Sequence, residues 1–118
     1  MELVLSDHIR LDERSLALHE RVAQKVLADP SLLHKARENL RRWQENNGGT
    51  SPALVEWEQI LNGHADQVAG FLVERSEKAT RLRQSSPFAG ILTESERMAI
   101  YESYSTRTYH PRGQPNLR

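Results

Sequence analysis

The chain has no cysteine. Disulfides, thiolate metal sites and a cysteine nucleophile are thereby excluded, and a reducing cytoplasmic location is the expectation. It also lacks any run of about 18 apolar residues, the minimum for a membrane-spanning helix. The opening "MELVLSDHIR" carries acid where a secretory leader carries base, so no leader is expected. There is no excess of charge: 16 Lys and Arg balance 16 Asp and Glu. A protein held to nucleic acid mainly through phosphates needs a basic surplus on one face, so that mode of binding is not favoured. Within 118 residues, 37% of them hydrophobic, the expectation is one domain with room for one modest core but not for a large buried site.

Helix punctuation is abundant. Asp12 reads as the cap of a first helix, with Leu11 packing on Leu16 as a hydrophobic staple and Leu18, Val22 and Val26 as an inner stripe. "DPSLLHKARENLRRWQENNGG" reads as a second, with Asp29 as cap and Pro30 at the first helical position, where its missing N–H costs nothing. Leu33, Ala36, Leu40 and Trp43 lie on one face of it, and Gly48-Gly49 ends it. Ser51 and Pro52 open a third, with Leu54, Trp57 and Leu61 inward and Gly63 as its stop. A fourth helical region over 65–84 turns Val68, Leu72, Ala79 and Leu82 inward, and a break is expected near Glu74–Ser76. Thr93 and Glu96 form a capping box for a last helix reaching about Tyr104, with Met98, Tyr101 and Tyr104 on a common face. "ELVL" at the start is the only stretch resembling a strand, and it has no obvious partner. The expectation is an all-α, compact bundle of about five helices over 1–105, followed by an extended tail over 106–118.

Motifs that carry chemistry are scarce. His34 and Glu38 stand one turn apart, but a metal site needs further converging ligands, so they read as a solvated helix face. Ser85 and Ser86 lack the glycine-framed elbow of a nucleophile and read as turn residues ahead of Pro87, unless a histidine approaches them in the fold. Gly48-Gly49 lacks the Lys and Ser/Thr of a phosphate loop. The pairs Glu56/Glu58 and Glu94/Glu96 diverge by roughly 200° on a helix. Two basic groups, Arg75/Lys78/Arg81/Arg83 and Lys35/Arg37/Arg41/Arg42, are interleaved with Glu74, Glu77 and Glu38, as on a neutral solvated helix. A helix-turn-helix around Gly63 would present a second helix poor in residues able to read base edges. No catalytic residue, metal or cofactor is assigned.

The segment "RLRQSSPFAGILTESE" is too apolar for an ordinary surface connection. Phe88, Ile91 and Leu92 either fold inward to plug the bundle, with Ser-Pro fixing the approach and Gly90 permitting a reversal, or Pro87-Phe88-Ala89-Gly90 stays partly exposed as a rigid recognition knob. The tail adds Tyr109, His110 and Arg112, and tyrosine and arginine are types favoured at interfaces. "IRLDERSLALHERVAQKVLADPSLL", "NLRRWQ", "EWEQIL" and "RLRQSSPFAGILTESERMAIY" together resemble a group of small bacterial helical proteins associated with toxin–antitoxin gene pairs. That resemblance spans roughly residues 9 to 104 and carries no site residues. It implies a protein without catalysis that neutralises a toxin enzyme by direct binding. The partner-binding residues expected on this reading are Arg81, Arg83, Pro87, Phe88, Ile91, Tyr109, His110 and Arg112. The alternative is a small helical nucleic-acid-binding regulator, and a further one is an enzyme with a site assembled from scattered residues.

Overall fold

In the computed structural model, which describes residues 2–46 and 51–108, six α-helices follow one another: α1 (Glu2–Ala28), α2 (Leu33–Asn46), α3 (Pro52–Leu61), α4 (Ala65–Leu72), α5 (Glu77–Leu82) and α6 (Glu94–Ser103). There is no strand among the described residues, and none of their helices is long and apolar enough to cross a membrane.

The caps explain most of the boundaries. Asp29 accepts hydrogen bonds from the Ser31 backbone N–H at 3.2 Å and its hydroxyl at 2.6 Å, so the chain turns through a short 3₁₀ segment, Pro30–Leu32, before α2. Ser51 caps α3 by accepting from Leu54 N–H, and Ser76 caps α5 by accepting from Ala79 N–H. Thr93 and Glu96 close a capping box on α6, with Thr93 N–H donating to Glu96 Oε1 at 2.8 Å and Glu96 N–H to Thr93 Oγ1 at 3.1 Å.

The first helix departs from expectation. Asp12 caps nothing and "ELVL" is helical, because α1 runs without interruption from Glu2. An N-cap acts only where the preceding residue leaves helical geometry, and the chain has no Gly or Pro ahead of Pro30 to make it do so.

The core gathers on one side of α1. Val22, Val26, Leu33, Ala36, Leu40, Leu54, Leu61, Val68, Leu72 and Leu82 are all buried around Trp57, which has no exposed surface. Phe71 and Phe88 meet the Trp57 indole edge-on, with ring centroids 5.7 and 6.0 Å away. The indole N–H donates to the Leu82 carbonyl at 3.0 Å, which removes the cost of burying it. Trp43, expected to match Trp57, is only half-buried and lies against the rim of the core.

The expected break in the fourth helical region falls between α4 and α5. Arg83 mends it from inside: its Nη1 donates to the carbonyls of Leu72 and Glu74 at 3.1 and 2.8 Å, and its Nη2 to Thr80 Oγ1 at 3.3 Å. The Leu72 carbonyl at the end of α4 and the Glu74 carbonyl just beyond it thus find their donors on one guanidinium.

Candidate functional site

The Arg81–Leu92 segment is a plug. Pro87, Phe88 and Ile91 are buried: the apolar side chains turn inward, where water is excluded, and of the expected knob only Ala89 and Gly90 stay outside, without an aromatic anchor. Asn39 of α2, itself buried, donates from Nδ2 to the Pro87 and Ala89 carbonyls at 2.9 and 3.0 Å. Its Oδ1 accepts from Arg42 at 2.7 Å. Lys25 of α1 donates to the Ile91 carbonyl at 2.9 Å. Gly90 supplies the reversal with φ 86°, and a side chain there would also crowd Lys35. Arg83 is buried as well, contrary to its expected place on a binding face. Burial pulls the pKa of its guanidinium down, while Asp12 pulls it up. Of the residues singled out from this segment, Arg81 alone is solvent-exposed, and it is held by Glu56 through two bonds of 3.1 Å. Ala89 and Gly90 form the exposed tip. Tyr109, His110 and Arg112 lie outside the described residues.

A cationic stripe runs along α1. Arg10, Arg14, Arg21 and Lys25 are spaced by one turn, two turns and one turn, which places them on one face of a long helix. That face receives α6. Arg10 donates to the Tyr104 carbonyl at 3.1 Å, and Arg14 lies 4.6 Å from the centre of the Tyr101 ring. Arg21 and Lys25 both reach Glu96, each at 2.8 Å. Lys25, the Thr93 amide and Arg21 together hold the Glu96 carboxyl down to about 2. No α6 side chain is buried, and Met98 is 53% exposed. The signal was present as the spacing of the four cations, but it is visible only once α1 is known to extend through residue 10.

Two of the depressions beside α1 bear on function. One, of about 260 Å³, lies between α1, the plug and the start of α6; Leu18, His19, Ser86, Leu92 and Arg97 contribute to its wall. A histidine thus shares a cleft with one of the serines considered above. Yet no hydrogen bond joins His19 to Ser86; Ser86 Oγ accepts from the Phe88 N–H at 3.3 Å, and His19 Nδ1 is bonded to the Ser15 carbonyl at 2.7 Å. The other, about 660 Å³, is an open groove between α1 and α4. Its floor is made of small residues, Ala23, Ala69 and Gly70, and a Cβ on Gly70 would meet nothing within 4 Å. Leu27 and Val73 project beside it, 56% and 36% exposed, with Glu20 and Asp66 on opposite rims.

Most of the basic groups singled out from the sequence have partners within the fold. Arg41 bridges Glu38 and Glu45, Arg75 pairs with Glu13, and Arg37 donates twice to the Leu61 carbonyl at the end of α3. The turn through Gly63 does join α3 to α4, but the face α4 turns to solvent carries Asp66, Gln67 and Gly70. No protein-family model, curated protein or solved structure matches the chain.

Proposed function

We propose that this chain is a protein-binding module of the antitoxin type, which neutralises a partner toxin enzyme by covering its site. The observation that carries the reading is the groove between α1 and α4. Apolar side chains as large as Leu27 and Val73 stand exposed beside a floor of small residues, the arrangement in which a partner's apolar anchor gains most from desolvation. The two rims present Glu20 and Asp66, so the segment that fits is apolar with flanking Lys or Arg. The partner class comes from the resemblance of "RLRQSSPFAGILTESERMAIY" and its companion stretches, and the inhibition asked of the module is steric and electrostatic, requiring no cofactor. On this reading Arg81 and the exposed Ala89–Gly90 tip extend the contact, and Phe88, Pro87 and Ile91 act indirectly by holding that tip rigid.

The test is co-expression with the product of the adjacent open reading frame. That product should arrest growth alone and be relieved by this chain, and the two should co-elute in size-exclusion chromatography. Leu27→Glu with Val73→Glu should abolish relief and weaken the complex at least tenfold, about 1.4 kcal/mol, while leaving the circular dichroism unchanged. A harmless neighbouring product, or a complex indifferent to both substitutions, sinks the proposal.

A further inference from the structure

We infer that the cleft between α1, the Ser86–Leu92 plug and α6 is a binding site for a small organic acid that has an apolar body and a hydroxyl group. Its polar residues, His19, Ser86 and Arg97, lie outside the α1–α4 groove that carries the protein-binding reading, and the two share only the Phe88–Gly90 wall.

Three polar groups with different chemistry meet in this cleft. His19 is the deepest, only 7% exposed although it lines the cavity. Its Nδ1 lies 2.7 Å from the Ser15 carbonyl. A carbonyl can only accept, so the proton of the neutral ring sits on Nδ1, and Nε2 keeps its lone pair. Nε2 has no hydrogen-bond partner among the described residues. Burial, opposed by that backbone bond and reinforced by Arg83, lowers the His19 pKa to about 4, so the ring is neutral near pH 7. The cavity therefore offers a fixed acceptor on a mostly buried ring, which a ligand O–H satisfies and an apolar group does not.

The second group is Arg97, on the first turns of α6. Its neighbour Glu96 is taken by Lys25 and Arg21, and no ion pair engages Arg97 among the described residues. No carboxylate lines the cleft, so a bound anion meets a cation without a competing acid. The third, Ser86, uses its oxygen to accept from Phe88 N–H and retains a hydroxyl proton to donate. Leu18, Val22 and Leu92 supply apolar wall between the histidine and the arginine. At about 260 Å³ the space lies just below the range of roughly 300–1,000 Å³ typical of drug-sized ligands. A single ring or a short branched chain fits that volume.

The experiment uses the full chain and two probes, 4-hydroxybenzoate and benzoate, followed by heteronuclear NMR at pH 7. 4-Hydroxybenzoate should give saturable shifts confined to the methyls of Leu18, Val22 and Leu92, with a dissociation constant on the order of 1 mM or below. Benzoate, which lacks the donor for Nε2, should bind at least fivefold more weakly. Arg97→Gln, an exposed change that leaves the core intact, should weaken 4-hydroxybenzoate at least tenfold. His19→Phe should abolish the preference of one probe over the other. Long-range nitrogen–proton spectra of unliganded protein should show His19 as the Nδ1–H tautomer. Absence of saturable shifts, equal affinity for the two probes, or binding unchanged in Arg97→Gln each overturns the inference, and none of these results depends on whether a protein partner is found.

Discussion

The two segments that close over α1 do so by opposite means. The plug, residues 86–92, buries Pro87, Phe88 and Ile91 and has its carbonyls gripped by Asn39 and Lys25. Helix α6 buries no side chain; ion pairs with Arg21 and Lys25, a backbone bond from Arg10 and the Arg14–Tyr101 contact hold it in place. The difference is one of solvent. Apolar burial and hydrogen bonds made out of water resist salt, whereas exposed ion pairs contribute little each and are screened. The Nε atoms of Arg10 and Arg14 are even covered without a hydrogen-bond partner, a cost that the polar seam under α6 carries and the plug does not. One segment is thus part of the core, and the other is an attachment to it.

The comparison can be broken first at Trp57. If the plug belongs to the core, Trp57→Ala removes the ring on which Phe88 and Phe71 both rest and should destabilise by about 3–5 kcal/mol in denaturant unfolding. Trp43→Ala should cost visibly less, because that ring is half-buried at the rim; equal losses would mean that the two tryptophans share one environment after all.

Acid should come next. The His19 pKa is depressed to about 4 by burial, so between the ordinary value near 6.5 and 4 the unfolded chain takes up the proton first. Stability must then fall as pH drops through that window, by roughly 3 kcal/mol in full. Chemical denaturation at several pH values measures the slope, and His19→Phe should flatten it. Below about 4.5 the Glu96 carboxyl adds a second loss of the same sign, since its pKa is also depressed and its contribution vanishes as pH falls towards 2.

Asn39→Ala probes the grip on the plug alone. It leaves the Pro87 and Ala89 carbonyls without their donor and should cost about 1–3 kcal/mol; a loss near zero would show that apolar burial by itself seats the segment. The smallest global effect is expected from Glu96→Gln, which loosens α6. Its amides should exchange faster in hydrogen-exchange measurements while those of α3 and α4 do not, and about 1 M salt should produce the same pattern in the unaltered chain. Uniform acceleration across the helices would make α6 an integral part of the core.

Much of this architecture was legible in the chain. Ser51 and Thr93 cap the helices they precede, and the stripe Leu54, Trp57, Leu61 points inward, because caps and helical periodicity are local physics acting within four residues. The run of α1 through Asp12 shows the limit of the same signal: a capping residue is permissive, and the absence of a breaker outweighs it. The burial of Arg83 was not legible, since its partners Leu72 and Glu74 become acceptors only after α4 ends there. The cleft holding His19 and Ser86 brings together residues far apart in the chain, on a helix and a loop, and nothing local announces that pairing.

The Trp57 environment has a consequence for how the protein is made. Its indole needs the Leu82 carbonyl and the Phe88 ring, both supplied by chain synthesised well after it. At translation rates of about 5–20 residues per second, the first three helices spend a few seconds with a large aromatic surface unsealed. During that interval the nascent chain presents to its surroundings the very surface that the finished protein conceals, so chaperone dependence and aggregation on overexpression should be set by the arrival of residues 82–91 rather than by the stability of the completed fold.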